Sequence, residues 1–281
     1  MVVWGFTFIS TKVLLDYMGP LDILISRTVL GFIALCILRP QILSMAERRH
    51  ELLFVLAGLT GAFMYYLAEN TALEFADASF VSVAVSTAPL FTAILGFFIL
   101  KDKSLSVRFV VGFLIAIAGI ALISFAEGPG HASGAGVVLC LAAALSWAVY
   151  SIIVKRLASL GYETIAMTKR IFVWGLAFMV VARLFVNESY PFDALMQPVV
   201  FGNLAFLGIL ASAACFITWG YSVKHLGPAA ASAYIYLQAP LTVVASVLML
   251  GDLMTVPIAF GIVLVLVGLV LSEDLSRFKA D

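Results

Sequence analysis

Three ionisable side chains lie inside apolar runs in the first half of the chain: Lys12, Arg27 and Glu69. A charged group in such surroundings is energetically costly, so each of them is a candidate functional residue. The forked N–H donors of an arginine match a carboxylate, and a glutamate can accept from an amine or exchange a proton. The sequence therefore predicts Arg27 as a carboxylate anchor and Glu69 as an amine anchor or a proton site.

These residues fall at similar depths if their apolar runs are helices. Arg27 lies about two turns, and Glu69 about one turn, from the expected outer ends of their helices, and Lys12 is near the outer end of the first. We expect Arg27 and Glu69 to pair, with Lys12 in the same polar cluster at the outer rim of a cavity. The alternative is a static ion pair, with the lysine extending to the membrane interface.

Aromatic residues recur in the same runs and could form an apolar, π-rich cavity for hydrophobic or aromatic substrates. Tyr65 and Glu69 are four residues apart, so they share one face of a helix. The alternative for each ring is packing or anchoring at the interface. The aromatic candidates are Trp4, Tyr65, Trp147, Tyr150, Trp219 and Tyr236.

Two prolines, Pro89 and Pro240, lie in the middle of apolar runs, with Thr87 and Gln238 two residues before them. Each proline removes an N–H donor and frees a carbonyl about one turn earlier. Helices broken in this way tend to line cavities in membrane proteins. We therefore expect both segments at the site; the alternative is an inert kink.

Asn70 and Arg170 complete the set of candidates. Arg170 fits a role in gating or helix anchoring, or equally a position at the cytoplasmic interface. The residues predicted to bind substrate or to couple transport are Trp4, Lys12, Arg27, Tyr65, Glu69, Asn70, Thr87, Pro89, Trp147, Tyr150, Arg170, Trp219, Tyr236, Gln238 and Pro240.

The composition requires that these residues be positioned inside a membrane. The 281 residues are 63% hydrophobic and 11% charged, with a mean hydropathy of +1.13, whereas soluble domains are about 45–50% apolar and about 25% charged. The net charge is zero. Proteins that bind nucleic acids usually carry an excess of basic residues, so nucleic-acid binding is not expected. The three cysteines are scattered in apolar runs, so neither a disulfide framework nor a metal site is expected.

The expected elements are ten transmembrane helices, because the apolar runs are too long for barrel strands and do not alternate with polar residues. We expect an all-α membrane protein in contact with the lipid bilayer. The predicted helices are Met1–Leu15, Leu21–Leu38, Leu52–Leu73, Ser79–Leu100, Arg108–Phe125, Gly136–Leu157, Thr164–Val186, Val199–Val223, Ala229–Leu250 and Val256–Leu271.

The cations in the connections predict the orientation. With a cytoplasmic N-terminus, eleven of them fall inside and only Arg183 falls outside, which is a strong positive-inside bias. We expect a multi-pass protein of the cell (inner) membrane with both termini cytoplasmic. The inside cations are Arg39, Arg48, Arg49, Lys101, Lys103, Arg108, Lys155, Arg156, Lys224, Arg277 and Lys279.

The second half of the chain repeats the first. The matches, at offsets of 143 to 151, are Trp4 with Trp147, Lys12 with Lys155, Arg27 with Arg170, Ala88-Pro89-Leu90 with Ala239-Pro240-Leu241, and Leu100-Lys101-Asp102 with Leu250-Gly251-Asp252. Glu69 is not repeated, because Gly220 stands at its matching position.

Five helices per copy is an odd number, so the copies, 1–125 and 134–275, must be inverted relative to each other. Inverted repeats are typical of transporters that alternate access around a central site. The first run is too short to cross about 30 Å at about 1.5 Å per residue, and we expect about ten further residues before Met1.

The residues carry a resemblance to a known family. The Trp-to-Lys spacing, the run Tyr66-Leu67-Ala68-Glu69-Asn70-Thr71-Ala72-Leu73, the repeated Ala-Pro-Leu and Leu100-Lys101-Asp102 resemble the EamA-type drug/metabolite transporter superfamily over nearly the whole chain. Lys101-Asp102 and Asp252 depart from the Gly-Glu and Glu that are common in the family. The resemblance implies a secondary carrier, usually an exporter of amino acids or other small metabolites, with a central cavity between its halves.

The sequence leaves two alternatives to this prediction. One is a proton-coupled exporter of cationic or hydrophobic drugs, with Glu69 as the binding acid. The other is a membrane-embedded enzyme or assembly partner, which is disfavoured because the chain has no His-Glu-x-x-His, Walker or Gly-x-Ser-x-Gly motif. We expect a small-molecule substrate, a coupling ion such as H⁺, no cofactor, and a monomer or weak homodimer.

Overall fold

The computed structural model describes residues 1–41, 47–101, 106–126, 133–187, 189–250 and 254–272. Within these ranges the chain is helical and contains no β-strand, which confirms the predicted all-α class. The matched loop residues Asp102, Gly251 and Asp252 lie outside the described residues.

Each predicted helix is present, with ends that shift by no more than about one turn. In chain order they are α1 (Val2–Leu15), α2 (Pro20–Leu38), α3 (Arg48–Phe75), α4 (Ala78–Val85 and Ala88–Leu95, extended by Gly96–Leu100), α5 (Val107–Ala126), α6 (Gly134–Ser159), α7 (Thr164–Arg183), α8 (Pro198–Leu226), α9 (Pro228–Ala233, Tyr234–Leu237 and Gln238–Leu250) and α10 (Val256–Ser272).

Four helices depart from regular α geometry in their middle. The central turns of α3 (Gly58–Met64) and α8 (Phe206–Ala214) are π-helical. The α4 helix is interrupted between Val85 and Ala88, and α9 contains a 3₁₀ stretch at Tyr234–Leu237. The last two irregularities lie just before Pro89 and Pro240, so both prolines coincide with the broken helices that the sequence predicts.

Six of the helices are long and apolar enough to cross a membrane, and several shorter apolar helices accompany them in the described part of the chain. The protein is therefore a multi-pass membrane protein. The count of ten spans and the inverted relation of the two halves stay predictions. The six candidate spans are Pro20–Leu38, Arg48–Phe75, Phe80–Leu100, Gly134–Ser159, Thr164–Arg183 and Pro198–Leu226.

Glycines let α5 and α10 pack closely and antiparallel. A Cβ atom on Gly112 would lie 2.6 Å from the carbonyl oxygen of Gly268, and one on Gly119 would lie 2.6 Å from that of Gly261. Side chains at these positions would push the helices apart, which explains why small residues are needed at the crossing.

Two further glycine crossings join the halves of the molecule. A Cβ atom on Gly31 in α2 would lie 2.8 Å from the carbonyl oxygen of Gly208 in α8. In the matching crossing, a Cβ atom on Gly58 in α3 would lie 2.8 Å from the amide nitrogen of Gly175 in α7. The second helix of each half thus packs against the third helix of the other, so the core is shared between them.

Candidate functional site

Three tryptophans meet where α1, α6 and α8 converge. The ring centroids of Trp4 and Trp147 are 5.3 Å apart, those of Trp4 and Trp219 5.7 Å, and those of Trp147 and Trp219 4.9 Å. All three are buried. This tryptophan triad draws on both halves of the chain and brings together three of the residues that the sequence predicts for the site.

More rings extend the triad towards α3 and α7. Tyr65 and Tyr150 lie 4.7 Å and 5.0 Å from Trp147. Phe216, which the sequence analysis missed, lies 5.7 Å from Trp147 and 5.5 Å from Tyr150. Its position one turn before Trp219 on α8 was the available signal, but a phenylalanine is common in any membrane helix.

The prediction that Tyr236 joins this cluster is wrong. Tyr236 lies on the 3₁₀ stretch of α9 and is fully buried in a separate apolar cluster with Phe113 and Val265, against α5 and α10. The 3₁₀ stretch packs on α10, so the ring is buried there and not among the tryptophans.

Polar side chains near the prolines mostly form hydrogen bonds with backbone carbonyls of the broken helices or of a neighbouring helix. The Thr87 hydroxyl donates to the carbonyl of Ala84 at 2.7 Å, so it closes the end of its own helix. In α9 the Thr242 hydroxyl lies 2.8 Å from the carbonyl oxygen of Gly5, which ties this helix to α1. Gln238 is buried, and its side-chain oxygen has no hydrogen-bond partner among the described residues.

Arg27 is fully buried without a carboxylate partner in the described part of the chain. Its guanidinium carbon lies 4.1 Å from the centre of the Tyr66 ring, and its Nε donates to the Ser212 hydroxyl at 3.1 Å. Both terminal nitrogens lack a hydrogen-bond partner among the described residues. A π-face stabilises the charge, but it does not satisfy these N–H groups.

Glu69 is equally buried, at 1% exposure. Its carboxyl group interacts with the neighbouring Tyr65, while its Oε2 has no hydrogen-bond partner among the described residues. Glu69 interacts electrostatically with Arg27, yet within the described ranges the two form no ion pair. The predicted direct pair is therefore wrong, because Tyr66 and Ser212 hold the guanidinium in another orientation.

The side chains of Lys12 and Asn70 bind backbone carbonyls at helix ends, and within the described ranges neither is hydrogen-bonded to Arg27 or Glu69. The Lys12 ammonium group donates to the carbonyls of Leu73, at 2.6 Å, and Ala76, at 3.5 Å. The free carbonyls at the end of α3 attract this cation, so the prediction that Lys12 shares a cluster with Arg27 and Glu69 is wrong. The Asn70 amide donates to the carbonyl of Pro20 at 3.2 Å, at the start of α2.

Arg170 lies in a different environment from Arg27, to which it is matched in the sequence. Its Nε and Nη2 bind the two carboxylate oxygens of Glu51 at 3.0 Å and 2.7 Å. The Trp174 indole donates to the same carboxylate at 2.5 Å. This partly exposed bidentate pair joins the starts of α3 and α7, which fits helix anchoring better than substrate contact.

Ion pairs also join both ends of α2 to α7. Arg183 binds Asp22 at 2.9 Å at the predicted outer end, and Arg39 binds Glu163 at 3.3 Å at the predicted inner end. Near the outer pair the Tyr190 hydroxyl lies 2.5 Å from the Ser26 hydroxyl. Burial raises the pKa of Tyr190, so its hydroxyl stays protonated and can donate at neutral pH.

A cavity of about 290 Å³ borders the tryptophan triad. Trp4 and Trp219 line it together with Cys215 and Ser222, and it lies towards the start of α1 and the end of α8. That end is cytoplasmic in the predicted orientation. Arg27 and Glu69 do not line this cavity, so in this conformation both charges are sealed inside the protein.

Comparison with known families decides the class of the protein. The model of the EamA-like transporter family matches residues 1–125 and 134–273, which is nearly the whole chain. The chain belongs to the EamA-like transporter family. It is a membrane transporter of small molecules and not an enzyme, and the resemblance seen in the sequence is confirmed.

Curated relatives and solved structures agree with the EamA assignment. The chain is 24% identical to the uncharacterized transporter YvbV of Bacillus subtilis, over 98% of this chain and 90% of the relative. It is 28% identical to a probable terminal-alkyne amino-acid exporter of Streptantibioticus cattleyicolor (89% and 83% covered). It is 27% identical to a probable amino-acid metabolite efflux pump of Salmonella typhimurium (95% and 90% covered).

A solved crystal structure has the same fold. The match covers 100% of this chain and 98% of the solved chain, with a TM-score of 0.74 and 19% sequence identity. This likeness extends over both halves of the EamA chain.

Proposed function

We propose that this EamA protein is a secondary active transporter that exports amino acids or related small metabolites across the inner membrane by alternating access. The observation that carries the proposal is the state of Arg27 and Glu69. Both are buried, they carry opposite charges, and each keeps polar atoms without a hydrogen-bond partner among the described residues. Unsatisfied buried groups of this kind are costly, and a ligand that satisfies them gains correspondingly.

A zwitterionic amino acid fits these requirements. Its carboxylate would bind the terminal nitrogens of Arg27 in the bidentate geometry that guanidinium favours. Its ammonium group would bind Glu69 Oε2, and an apolar side chain would pack on the tryptophan triad. Two relatives, a probable terminal-alkyne amino-acid exporter and a probable amino-acid metabolite efflux pump, support this substrate class.

Alternating access is supported by the way the two halves share a core. We infer that residues 1–125 and 134–275 are inverted repeats of five spans each, with both termini cytoplasmic. The matching glycine crossings at Gly31 and Gly175 join equivalent helices of opposite halves. The cavity beside Trp4 lies towards the predicted cytoplasmic side, where an exporter takes up its substrate.

The energy for export must come from a gradient, since the sequence holds no ATP-binding motif. We propose H⁺ as the coupling ion, carried by Glu69, and a monomer or weak homodimer as the working unit. Proton binding to this carboxyl group and binding of the substrate amine would then compete for the same oxygen, so that release of the proton allows the amine to bind.

Counterflow in proteoliposomes tests the proposal. Vesicles containing purified protein and an excess of unlabelled leucine are expected to accumulate labelled leucine. The methyl ester of leucine, which lacks the carboxylate, and N-acetyl-leucine, which lacks the ammonium group, should compete poorly. Accumulation that either analogue inhibits as well as leucine would contradict recognition of both ends of a zwitterion.

A second candidate, a proton-coupled exporter of cationic drugs, is favoured by the position of Glu69 beside the aromatic rings of Tyr65 and Trp147. Cationic aromatic dyes would then accumulate in the same vesicles. This transport would require Glu69 but tolerate loss of the Arg27 charge, which separates it from amino-acid export.

A further inference from the structure

A second cavity of about 290 Å³ lies between α2 and α7, separate from the tryptophan triad. It is at the end of α2 and the start of α7, which is the predicted cytoplasmic side. Two cations, Lys169 and Arg170, line it, and the rest of its wall is apolar: Phe32, Cys36, Pro40, Ala166 and Val173.

Lys169 is buried, at 8% exposure. Its ammonium group donates to the carbonyls of Arg39, at 2.8 Å, and Gln41, at 2.7 Å. In the described ranges of the chain it forms no ion pair with a carboxylate. A buried cation held only by neutral dipoles attracts an anion.

The two cations that line the cavity differ in their partners. Arg170 pairs with Glu51, and the nearby Arg39 pairs with Glu163. Lys169 is held by backbone carbonyls, so it is the cation of the cavity wall that can take the single negative charge of a phosphodiester.

The surroundings favour a lipid over a soluble anion. Val173 lines the cavity and is 48% exposed, and Ile33 and Ile37 on α2 are 49% and 74% exposed. An apolar surface therefore continues from the cavity along the outer face of α2 towards the hydrocarbon region. Basic pockets between transmembrane helices on the cytoplasmic side are suited to acidic headgroups.

We propose that the cavity between α2 and α7 binds an anionic phospholipid, with its phosphodiester next to the Lys169 ammonium group. The third N–H of this group is free to donate to a phosphate oxygen, since two are used by the carbonyls of Arg39 and Gln41. One acyl chain lies along Ile33 and Ile37, and it covers apolar surface that faces the bilayer.

Cys36 is a built-in reporter for this site, because it lines the cavity and is partly exposed, whereas Cys140 and Cys215 are buried. The full-length protein is placed in nanodiscs of phosphatidylcholine with or without phosphatidylglycerol. Alkylation of Cys36 by N-ethylmaleimide is followed by peptide mass spectrometry. Phosphatidylglycerol is expected to slow the alkylation about fivefold, which corresponds to one lysine–headgroup contact.

Variants separate this contact from the general effect of a negative membrane surface. Lys169→Gln should lose most of the slowing, and Lys169→Arg should keep it. Lys155→Gln is the matched control, since Lys155 also donates to a backbone carbonyl, that of Lys224 at 3.0 Å, but lies away from the cavity; it should keep the slowing.

Three results would overturn the proposal: an unchanged Cys36 rate in wild-type protein, slowing that survives in Lys169→Gln, or equal slowing by inorganic phosphate in pure phosphatidylcholine. Native mass spectrometry of wild-type protein from mixed bilayers gives a test that needs no variant. Phosphatidylglycerol should be retained in preference to phosphatidylcholine, and equal retention would contradict the site.

Discussion

The two halves of this transporter share a framework but hold their matched arginines in different ways. Arg27 in α2 is fully buried, packs on the Tyr66 ring and keeps two nitrogens without partners among the described residues. Arg170 in α7 is partly exposed and forms a bidentate ion pair with Glu51. Among the described residues, one of the matched arginines therefore keeps unsatisfied nitrogens, while the other already has its anion.

The buried acid Glu69 also distinguishes the two halves of the chain. Glu69 in α3 is buried beside Tyr65, whereas Gly220, its match in α8, packs against Thr164 at the start of α7. The charged part of the proposed site therefore belongs to the first half, and the second half contributes rings such as Trp147 and Trp219.

The sharpest test of this comparison exchanges each arginine for lysine. Arg27→Lys keeps the charge but removes the forked donors, so leucine counterflow should fall about tenfold or more, in line with the loss of a charge-assisted hydrogen bond. Arg170→Lys should change the rate no more than about twofold, since a lysine can still pair with Glu51 at a partly exposed site. Equal losses in the two variants would contradict the division of roles.

The next largest effect on leucine transport is expected when the buried acid Glu69 is replaced. Glu69→Gln removes the proposed anchor for the amine and the proton, so leucine accumulation should become slow and insensitive to an imposed pH gradient. Glu74→Gln, one turn further along α3 at an exposed position, is the matched control and should behave as wild type. Uptake by Glu69→Gln with wild-type rate and pH dependence would remove Glu69 from the mechanism.

The glycine crossings should be equivalent in the two halves. Gly31→Ala and Gly175→Ala each place a methyl group too close to a neighbouring helix, which should lower the free energy of unfolding by about 1–3 kcal/mol. Gly202→Ala, where a Cβ atom meets nothing within 4 Å, serves as the control and should leave stability unchanged or raise it. Thermal unfolding in detergent measures all three; a clear difference between Gly31→Ala and Gly175→Ala would mean that the crossings are not equivalent.

The matched tryptophans should differ slightly in stability. The Trp4 indole donates to the carbonyl of Ala211 at 3.0 Å, whereas the Trp147 indole nitrogen is buried without a hydrogen-bond partner in the described part of the chain. Trp4→Phe should therefore cost about 1 kcal/mol of stability, and Trp147→Phe should cost less, because it removes an unsatisfied polar group. The melting temperatures of the two variants measure this difference, and Trp4→Phe should melt at the lower temperature. A lower melting temperature for Trp147→Phe would contradict the prediction.

Much of the helical framework followed from the sequence. Apolar runs bounded by charges, glycine and proline gave the helix positions, and the broken segments of α4 and α9 followed from Pro89 and Pro240. Trp4 and Trp147 were also expected in one aromatic cavity, and the two rings are in contact. These features depend on local composition and spacing, which a single chain displays directly.

The contacts between helices were beyond the reach of the sequence. The direct pair of Arg27 with Glu69 was expected from their depth alone, but depth does not specify rotation about the helix axis. Ser212 and Tyr66, on two other helices, decide where the guanidinium points. Lys12 likewise binds the free carbonyls at the end of α3. This contact depends on how α1 and α3 pack together, which the depth of Lys12 in the membrane does not specify.

The sequence by itself thus determined that the chain enters a membrane as long apolar helices with a few costly charges. A lipid environment imposes that solution, because every backbone polar group must be satisfied within its own helix. Only the tertiary structure decided which of those charges are already paired. Pairing depends on the packing of side chains from helices that are distant in sequence, and it left Arg27 and Glu69 with buried polar atoms that have no hydrogen-bond partner among the described residues.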